Sequence, residues 1–527
     1  MRAAPLDERG LAMAEEAMVE AATEGGAPKK RDKLHFPTAI TVLFIVMLFA
    51  AVLTWVVPAG EYSKLKYVAD DDVFSITNAD GTTEEQPATQ ETLTKLGISA
   101  NVESYLDGSI SKPTAIPGTY QRVDQNPQGV VEFLLAPING VYESIDIILF
   151  VFLLGGCIGV LNHMGALTAA VAALSRVTRG REWLLIIVLT LIIVAGGTTF
   201  GLAEETIALY PILMPVFIAA GYDAMTCIAV IFMGSCVGTM YSTVNPFAIG
   251  VATKAAGISM AEGMSWRFVA LAIGTVISLA YVMRYGHKVR LDPSKSVVYD
   301  FKERIEERWG QRGEAPEFTT PMKVSLAVFG VSFVVLVYGI VAHQWWFDYM
   351  TAVFLACSMI LAFTCGLDEE VFMDEYIGGC GDLMSVALVV GVARAVNILL
   401  ENGLISDTIL YFFSGAIAGM SPVLFIIMML VVYIILGFFI NSSSGLAVLS
   451  VPIMAPLGGA VGVSKTAIIS AYNYGQGLIS YVTPTGLILA SLAMVDVPFS
   501  RWFKFVTPLL VITVLLNALL LVAQVLV

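Results

Sequence analysis

The chain is dominated by long runs of apolar residues that alternate with shorter polar segments. A helix needs about 20 apolar residues to cross a bilayer, so each uninterrupted run of that size predicts a membrane span. These runs lie at about 37–57, 145–168, 267–284, 323–342, 349–365, 383–400 and 505–525. With the interrupted apolar segments added, the pattern predicts an all-α polytopic membrane protein with about 9 to 11 spans.

Four further apolar segments are interrupted by polar residues, glycine or proline. Two of them reverse at 196–201 and 441–445, and their arms predict re-entrant hairpins. The other two are interrupted at 241–246 and 482–486, where a proline removes a backbone donor and predicts a broken helix.

The two halves of the chain carry similar motifs in the same order. Residues 211–215 read Pro-Ile-Leu-Met-Pro, and residues 452–456 read Pro-Ile-Met-Ala-Pro. An odd number of predicted crossings separates the two copies, so the second copy is expected to lie inverted in the membrane. Inverted repeats are typical of secondary transporters. The alternative is a chance likeness between two hydrophobic stretches that contain proline.

Composition and charge exclude several classes of protein. Apolar residues make up 57% of the 527 positions and charged residues only 14%, whereas soluble domains carry about 25% charged residues. An ordinary soluble enzyme and a disordered chain are therefore excluded. The formal charge of −14 argues against a nucleic-acid partner, because phosphate binding needs clustered Lys and Arg.

The polar segments predict how the chain is organised across a cell membrane. The basic cluster at 29–33 predicts a cytoplasmic N-terminus, and the 59–140 insert, with half of the net negative charge, then lies outside as a small β-rich or irregular cap. The predicted parts are a disordered tail (1–35), a first span (36–58), the insert (59–140), repeat 1 (141–285), a cytoplasmic connector (286–322), linking spans (323–366) and repeat 2 (367–527).

The polar breaks within the membrane are candidate binding sites. A break exposes backbone N–H groups at one half-helix, which suit a carboxylate, and carbonyl oxygens at the other, which suit Na⁺ together with Ser, Thr and Asn oxygens. Four such breaks occur, at 196–201, 242–247, 441–445 and 483–486. Each break taken alone is equally explained as a kink in which hydroxyls cap freed carbonyls.

Ionisable and amide residues inside apolar segments add four candidates. Glu204 and Glu205 follow the first tip and would bind a cation, a coupling proton or a substrate ammonium, unless one of them caps the returning arm. Arg394 would bind a carboxylate, or else form a buried ion pair, for example with Glu205. Asn473 precedes the second helix break and is a further candidate contact.

No catalytic or metal-binding constellation is visible. The six cysteines form no Cys-x-x-Cys pair, and the four histidines lack metal-ligand spacing. The sequence therefore predicts a non-enzymatic protein with no cofactor beyond a coupling Na⁺ or H⁺.

The ordered motifs resemble the C4-dicarboxylate anaerobic carrier-like family of the ion transporter superfamily. They are Gly-Gly-Thr-Thr-Phe-Gly-Leu-Ala-Glu-Glu (196–205), Ser-Thr-Val-Asn-Pro-Phe (242–247), Gly-Val-Ala-Arg (391–394), Pro-Ile-Met-Ala-Pro (452–456) and Thr-Pro-Thr (483–485). Within that family, the YfcC-type branch, whose members are often described as basic amino acid antiporters, is the most similar.

The resemblance implies a homodimer in which a transport domain moves like an elevator against a scaffold domain. It also implies a substrate site and coupling ions at the hairpin tips and helix breaks. The implied substrate contacts are Thr198, Thr199, Asn245, Ser443, Ser444 and Thr485, and the implied Na⁺ region is Ser242, Thr243, Asn245 and Thr483. The sequence thus predicts a secondary active transporter, antiporter or symporter, for a basic amino acid or a C4-dicarboxylate. A passive channel or a non-transporting membrane sensor is the alternative.

Overall fold

The computed structural model describes residues 38–178, 180–310, 317–343, 345 and 347–527. The predicted disordered tail 1–35 lies outside these residues. Helix α1 spans Ala39–Val56, and the side chain of Thr38 accepts a hydrogen bond from the Thr41 backbone N–H at its start. Thr at this position satisfies a backbone donor that has no partner within the helix.

The segment after α1 folds into a small sheet with short helices. Its elements are β1 (Gly60–Glu61), β2 (Lys64–Val68), β3 (Val73–Thr77), β4 (Thr83–Pro87), α2 (Gln90–Lys95), α3 (Glu103–Leu106), β5 (Thr114–Ala115) and β6 (Gln121–Arg122). The main sheet is antiparallel in the order β4-β3-β2-β5, and β1 pairs with β6. Of the two forms expected for the insert, the structure shows the one with β-strands.

The described residues from 130 to 291 are helical apart from short breaks. The helices are α4 (Val130–Glu143), α5 (Ile145–His163), α6 (Ala166–Thr178), α7 (Trp183–Thr199), α8 (Leu209–Ala219), α9 (Ala224–Ile228), α10 (Gly234–Met240), α11 (Val251–Ala255) and α12 (Met264–Leu291). A 3-10 turn at Glu204–Ala208 precedes α8, a π turn at Ala229–Met233 joins α9 to α10, and another at Pro246–Gly250 precedes α11.

The remaining described chain continues the helical pattern. After 3-10 turns at Pro293–Lys295 and Tyr299–Phe301 follow α13 (Lys302–Trp309), α14 (Thr320–His343), α15 (Phe347–Thr364), α16 (Glu369–Asp382), α17 (Met384–Asn402), α18 (Ser406–Ile417), α19 (Pro422–Phe439), α20 (Ser443–Ala460), α21 (Lys465–Ser480), α22 (Ile488–Met494) and α23 (Phe499–Leu526).

Eight helical segments among the described residues are long and apolar enough to cross a membrane. Three more apolar helices, Trp183–Thr199, Ala224–Met240 and Thr320–Leu336, are shorter. The protein is therefore a multi-pass membrane protein, and the predicted range of about 9 to 11 spans is reached only when the short helices are counted.

Residues 38–527 form one compact unit, within which two groups of closely packed helices can be followed. In the first group α17 packs against α1 and α4, and α5 packs against α15 and α16. Glycines permit this close approach, because a Cβ at Gly140 of α4 would lie 2.1 Å from the carbonyl oxygen of Gly391 in α17. In the second group α7 packs against α10, and α21 packs against α19, α20 and α23.

Both segments with a predicted tip reverse direction. Near the start of α7, Glu182 accepts from Arg290 at 2.8 Å, and beyond the end of α8 a Cβ at Gly221 would lie 3.7 Å from the Arg290 side chain. The start of α19 and the end of α20 are also close, since a Cβ at Gly458 would lie 3.5 Å from the ring of Phe425. The inverted relation of the two halves stays a prediction.

Candidate functional site

The first tip is hydrogen-bonded to the first helix break. Thr198 and Thr243 place their hydroxyl oxygens 3.1 Å apart, and the backbone N–H of Thr243 donates to the Thr198 hydroxyl at 2.9 Å. Both residues are buried. Thr199, by contrast, is exposed and donates its hydroxyl to the carbonyl of Ala195. The two predicted threonines therefore lie in different surroundings.

Asn245 organises the first helix break. Its side-chain oxygen accepts from the backbone N–H groups of Phe247 and Ala248, and its amide donates to the carbonyl of Gly197 at 3.2 Å. The tip fits closely around it, because Gly201 has a φ of +81° and a Cβ there would lie 3.0 Å from the Asn245 amide nitrogen. An L side chain at Gly201 would be strained in this conformation.

The second tip and the second helix break are joined in the same manner. Asn441 donates to the carbonyl of Thr485 at 3.0 Å, and Gln476 donates to the carbonyl of Asn441 at 3.2 Å. The hydroxyls of Thr483 and Thr485 are 2.8 Å apart, and both residues are buried. The structure thus brings Thr485 to the tip that the sequence predicted.

The serines of the second tip start helix α20. Ser442 is the N-cap, and its hydroxyl accepts from the backbone N–H of Gly445 at 3.2 Å. Ser443 and Ser444 follow as the first helical residues and are half-buried. The carbonyl of Ser443 accepts from the hydroxyl of Tyr472 at 2.8 Å, which fixes the tip against α21.

Asn473 joins helix α21 to the first helix break. Its amide donates to the carbonyl of Thr239 and to the hydroxyl of Ser242, each at 3.1 Å. Ser242 lies next to Thr243, which contacts the first tip, and Asn473 lies on the helix that supports the second tip. The predicted residues therefore form two mostly neutral polar clusters, one at each tip, and α21 contacts both of them.

The two carboxylates lie just after the first tip, in the 3-10 turn before α8. Glu205 accepts from the backbone N–H of Ala203 at 3.0 Å, so it does cap a backbone donor. Glu204 lies close enough to Asp146, at the start of α5, for their charges to repel. This turn therefore lies where the second group of helices meets the first.

Arg394 lies on α17, in the first group of helices. Its Nε donates to the carboxylate of Glu143 in α4 at 2.7 Å. The ion pair suggested with Glu205 is thus replaced by one with Glu143. About a third of the Arg394 side chain, 35%, is left uncovered by the rest of the protein. No hydrogen bond joins it to either tip among the described residues.

The predicted Na⁺ residues offer neutral oxygens. Ser242, Thr243, Asn245 and Thr483 are each at most 2% exposed. The first three share one helix break, whereas Thr483 lies on the other. Hydroxyl, amide and carbonyl oxygens suit a hard monovalent cation, so these residue types fit Na⁺. No group of three or more His, Cys, Asp or Glu side chains with metal-binding geometry occurs in the described part of the chain.

Three residues that form contacts at the second tip were not predicted from the sequence. Asn441 and Gln476 hold the second tip, and Lys112 of the insert donates to Ser442 at that tip, at 2.8 Å. Gln476 could have been found from the sequence, because it is an amide residue within a largely apolar segment, three positions after Asn473. No sequence pattern pointed to Lys112, since it lies in a polar segment far from the tip in sequence.

Comparison with known proteins shows the family to which the chain is similar. The model of the C4-dicarboxylate anaerobic carrier family matches residues 36–526. An uncharacterised protein of Haemophilus influenzae is 42% identical over 95% of this chain and 99% of its own length. YfcC of Escherichia coli, whose given name proposes antiport of basic amino acids, is 27% identical over 89% of this chain and 92% of its own.

Two solved structures also align with most of the chain. The YdaH transporter of Alcanivorax borkumensis is 15% identical over 92% of this chain and 98% of its own. MtrF of Neisseria gonorrhoeae, from a class of antimetabolite efflux pumps, is 13% identical over 93% and 95%. Both TM-scores are 0.38, which is too low to support an inference.

Proposed function

The chain belongs to the C4-dicarboxylate anaerobic carrier family, and from this premise we propose that it is a secondary active transporter for a small carboxylate-bearing metabolite. The substrate is a basic amino acid or a C4-dicarboxylate. The observation that supports the proposal is that α21 contacts the first helix break through Asn473 and the second tip through Tyr472 and Gln476.

The chemistry of the two polar clusters suits a zwitterion or a dianion. Hydroxyls of Thr198, Ser443 and Thr485 and free N–H groups at helix starts donate to carboxylate oxygens. Glu204 and Glu205 accept from a substrate ammonium, which favours a basic amino acid. Arg394 favours a second carboxylate, and the choice between the two substrate classes depends on which of these charges the substrate meets.

Coupling by an ion follows from the same residues. Buried neutral oxygens at Ser242, Thr243, Asn245 and Thr483 are proposed to bind Na⁺, while Glu205 is the proposed carrier if H⁺ is the coupling ion. We propose an elevator movement of the second group of helices against the first, within a homodimer in the cell membrane, because the family resemblance implies it. We also propose a cytoplasmic N-terminus and an external acidic insert, because the basic cluster at 29–33 favours the cytoplasmic side.

The test is uptake by purified protein in proteoliposomes under imposed Na⁺ and proton gradients. The panel contains arginine, ornithine, lysine, succinate, fumarate and malate, and ligand-induced thermal stabilisation identifies which compounds to label. We expect gradient-dependent uptake of one substrate class. Absence of uptake and of stabilisation across the whole panel would contradict the proposal.

A further inference from the structure

Lys112 of the insert contacts the second tip. Lys112 lies in the segment between α3 and β5, and its Nζ donates to the Ser442 hydroxyl at 2.8 Å. A Cβ at Gly445 would lie 3.6 Å from the same nitrogen. Lys112 is therefore next to Ser443 and Ser444, two of the proposed substrate contacts.

Packing of the insert fixes the segment that carries Lys112. Ile110 is buried in the core of the insert, and Val448 of α20 belongs to the same cluster. On the other side of the lysine, Thr114 of β5 is bonded to the hydroxyl of Tyr105 at 3.0 Å. The position of Lys112 beside the tip is thus set by both the insert and the arm α20.

The positive charge of Lys112 is not paired with a carboxylate in the described residues, unlike the charges of its basic neighbours. Lys64 is paired with Glu61 at 3.0 Å, and Arg394 is paired with Glu143 at 2.7 Å. Lys112 donates instead to a neutral hydroxyl, and within the described ranges no carboxylate lies within ion-pair distance of it. Its positive charge is therefore available to an anion that reaches the tip.

We propose that Lys112 is a specificity-determining residue that binds a carboxylate of the transported substrate at the second tip. The inference rests on the proposed transport function. A carboxylate that approaches Ser443 and Ser444 replaces the neutral hydroxyl of Ser442 as the acceptor of the lysine. The new bond is charge-assisted and therefore stronger than the one it replaces. The external insert thus supplies part of the substrate site.

The test compares three variants in proteoliposomes, with the compounds of the uptake panel as probes. Lys112→Gln is expected to raise KM about tenfold with little change in kcat, because a charged partner is lost. Lys112→Arg should restore most of the affinity. Lys66→Gln is the matched control, since Lys66 is an exposed lysine of the same insert, and its KM should equal that of the wild type.

The outcomes separate the two proposals. Wild-type uptake with an unchanged KM in Lys112→Gln would overturn the role of Lys112 and leave the transport function intact. No wild-type uptake on the panel would overturn both. In a second measurement, a negatively charged thiol reagent modifies Lys112→Cys, and saturating substrate should slow this reaction severalfold. An unchanged rate with a transported substrate would also overturn the inference.

Discussion

The amide nitrogen of Asn473 lies 3.1 Å from the hydroxyl oxygen of Ser242, a residue 231 positions earlier in the chain. This hydrogen bond connects the helix that supports the second tip to the break that contacts the first.

We predict that Asn473 and Ser242 are energetically coupled. Asn473→Ala and Ser242→Ala should each lower the free energy of unfolding, and the double variant should lose less than the sum by about 0.6 kcal/mol, the typical value for such bonds in membrane proteins. Thermal unfolding in detergent measures the effect. Strict additivity would show that the bond carries no coupling.

The ion pair between Arg394 of α17 and Glu143 of α4 allows a structural role of Arg394 to be tested separately from a role in substrate binding. Glu143→Gln and Arg394→Gln each break the same partly exposed pair, which is worth about 0.2–1 kcal/mol, so both should lower thermal stability slightly and equally. If Arg394 binds the substrate, only Arg394→Gln should also raise KM, by about tenfold or more. Equal uptake by the two variants would remove Arg394 from the substrate site.

Glu205 is the residue to test for proton coupling. If uptake is driven by the proton gradient and is insensitive to Na⁺, Glu205→Gln should abolish the pH dependence of uptake, because an amide cannot carry the proton. Glu204→Gln, in the same turn, tests the specificity of this effect: it removes a proposed ammonium contact but should keep the pH dependence of uptake. Retained pH dependence in Glu205→Gln would exclude Glu205 as the proton carrier.

The pH dependence of affinity tests Lys112. Desolvation first, and then repulsion from Arg394 of α17, hold the pKa of Lys112 below its ordinary value of 10.5, against the attraction of Glu401 on the same helix. Because the protonated lysine binds the carboxylate, KM should rise as pH increases through this lowered pKa. Lys112→Arg should not show the rise, since Arg stays charged. An identical pH profile for the two proteins would contradict the prediction.

Gly257 follows α11 and packs against the insert, and we predict that it cannot be replaced without a loss of stability. Gly257 has a φ of +66°, and a Cβ there would lie 1.7 Å from the carbonyl oxygen of Ser99. Gly97 has a similar φ of +70°, but no atom lies within 4 Å of its Cβ position. Gly257→Ala should therefore lower the unfolding temperature more than Gly97→Ala and expose the insert to proteolysis. Equal effects would mean that only backbone strain matters.

Hydropathy predicted most of the membrane helices because long apolar runs have few alternatives in a bilayer. The first run, at about 37–57, corresponds to Ala39–Val56. The last helix begins at Phe499, earlier than the predicted 505, because Arg501 and Lys504 interrupt the apolar pattern without ending the helix.

The candidate site was predicted at the level of segments, whereas its contacts were not. Breaks at the tips followed from local Gly, Pro and hydroxyl residues. The bond from Lys112 to Ser442 joins residues 330 positions apart, and the pairing of Arg394 with Glu143 depends on how α4 packs against α17. Such contacts depend on tertiary packing, which local sequence patterns do not encode.

We propose that the chain moves a carboxylate-bearing substrate across the membrane by alternating access. Counterflow measures this directly: proteoliposomes loaded with an excess of unlabelled substrate are diluted into a trace of the labelled compound. We expect a saturable, transient accumulation of label above equilibrium, which is absent in empty liposomes. Non-saturable equilibration without accumulation would indicate a passive channel and would rule out alternating access.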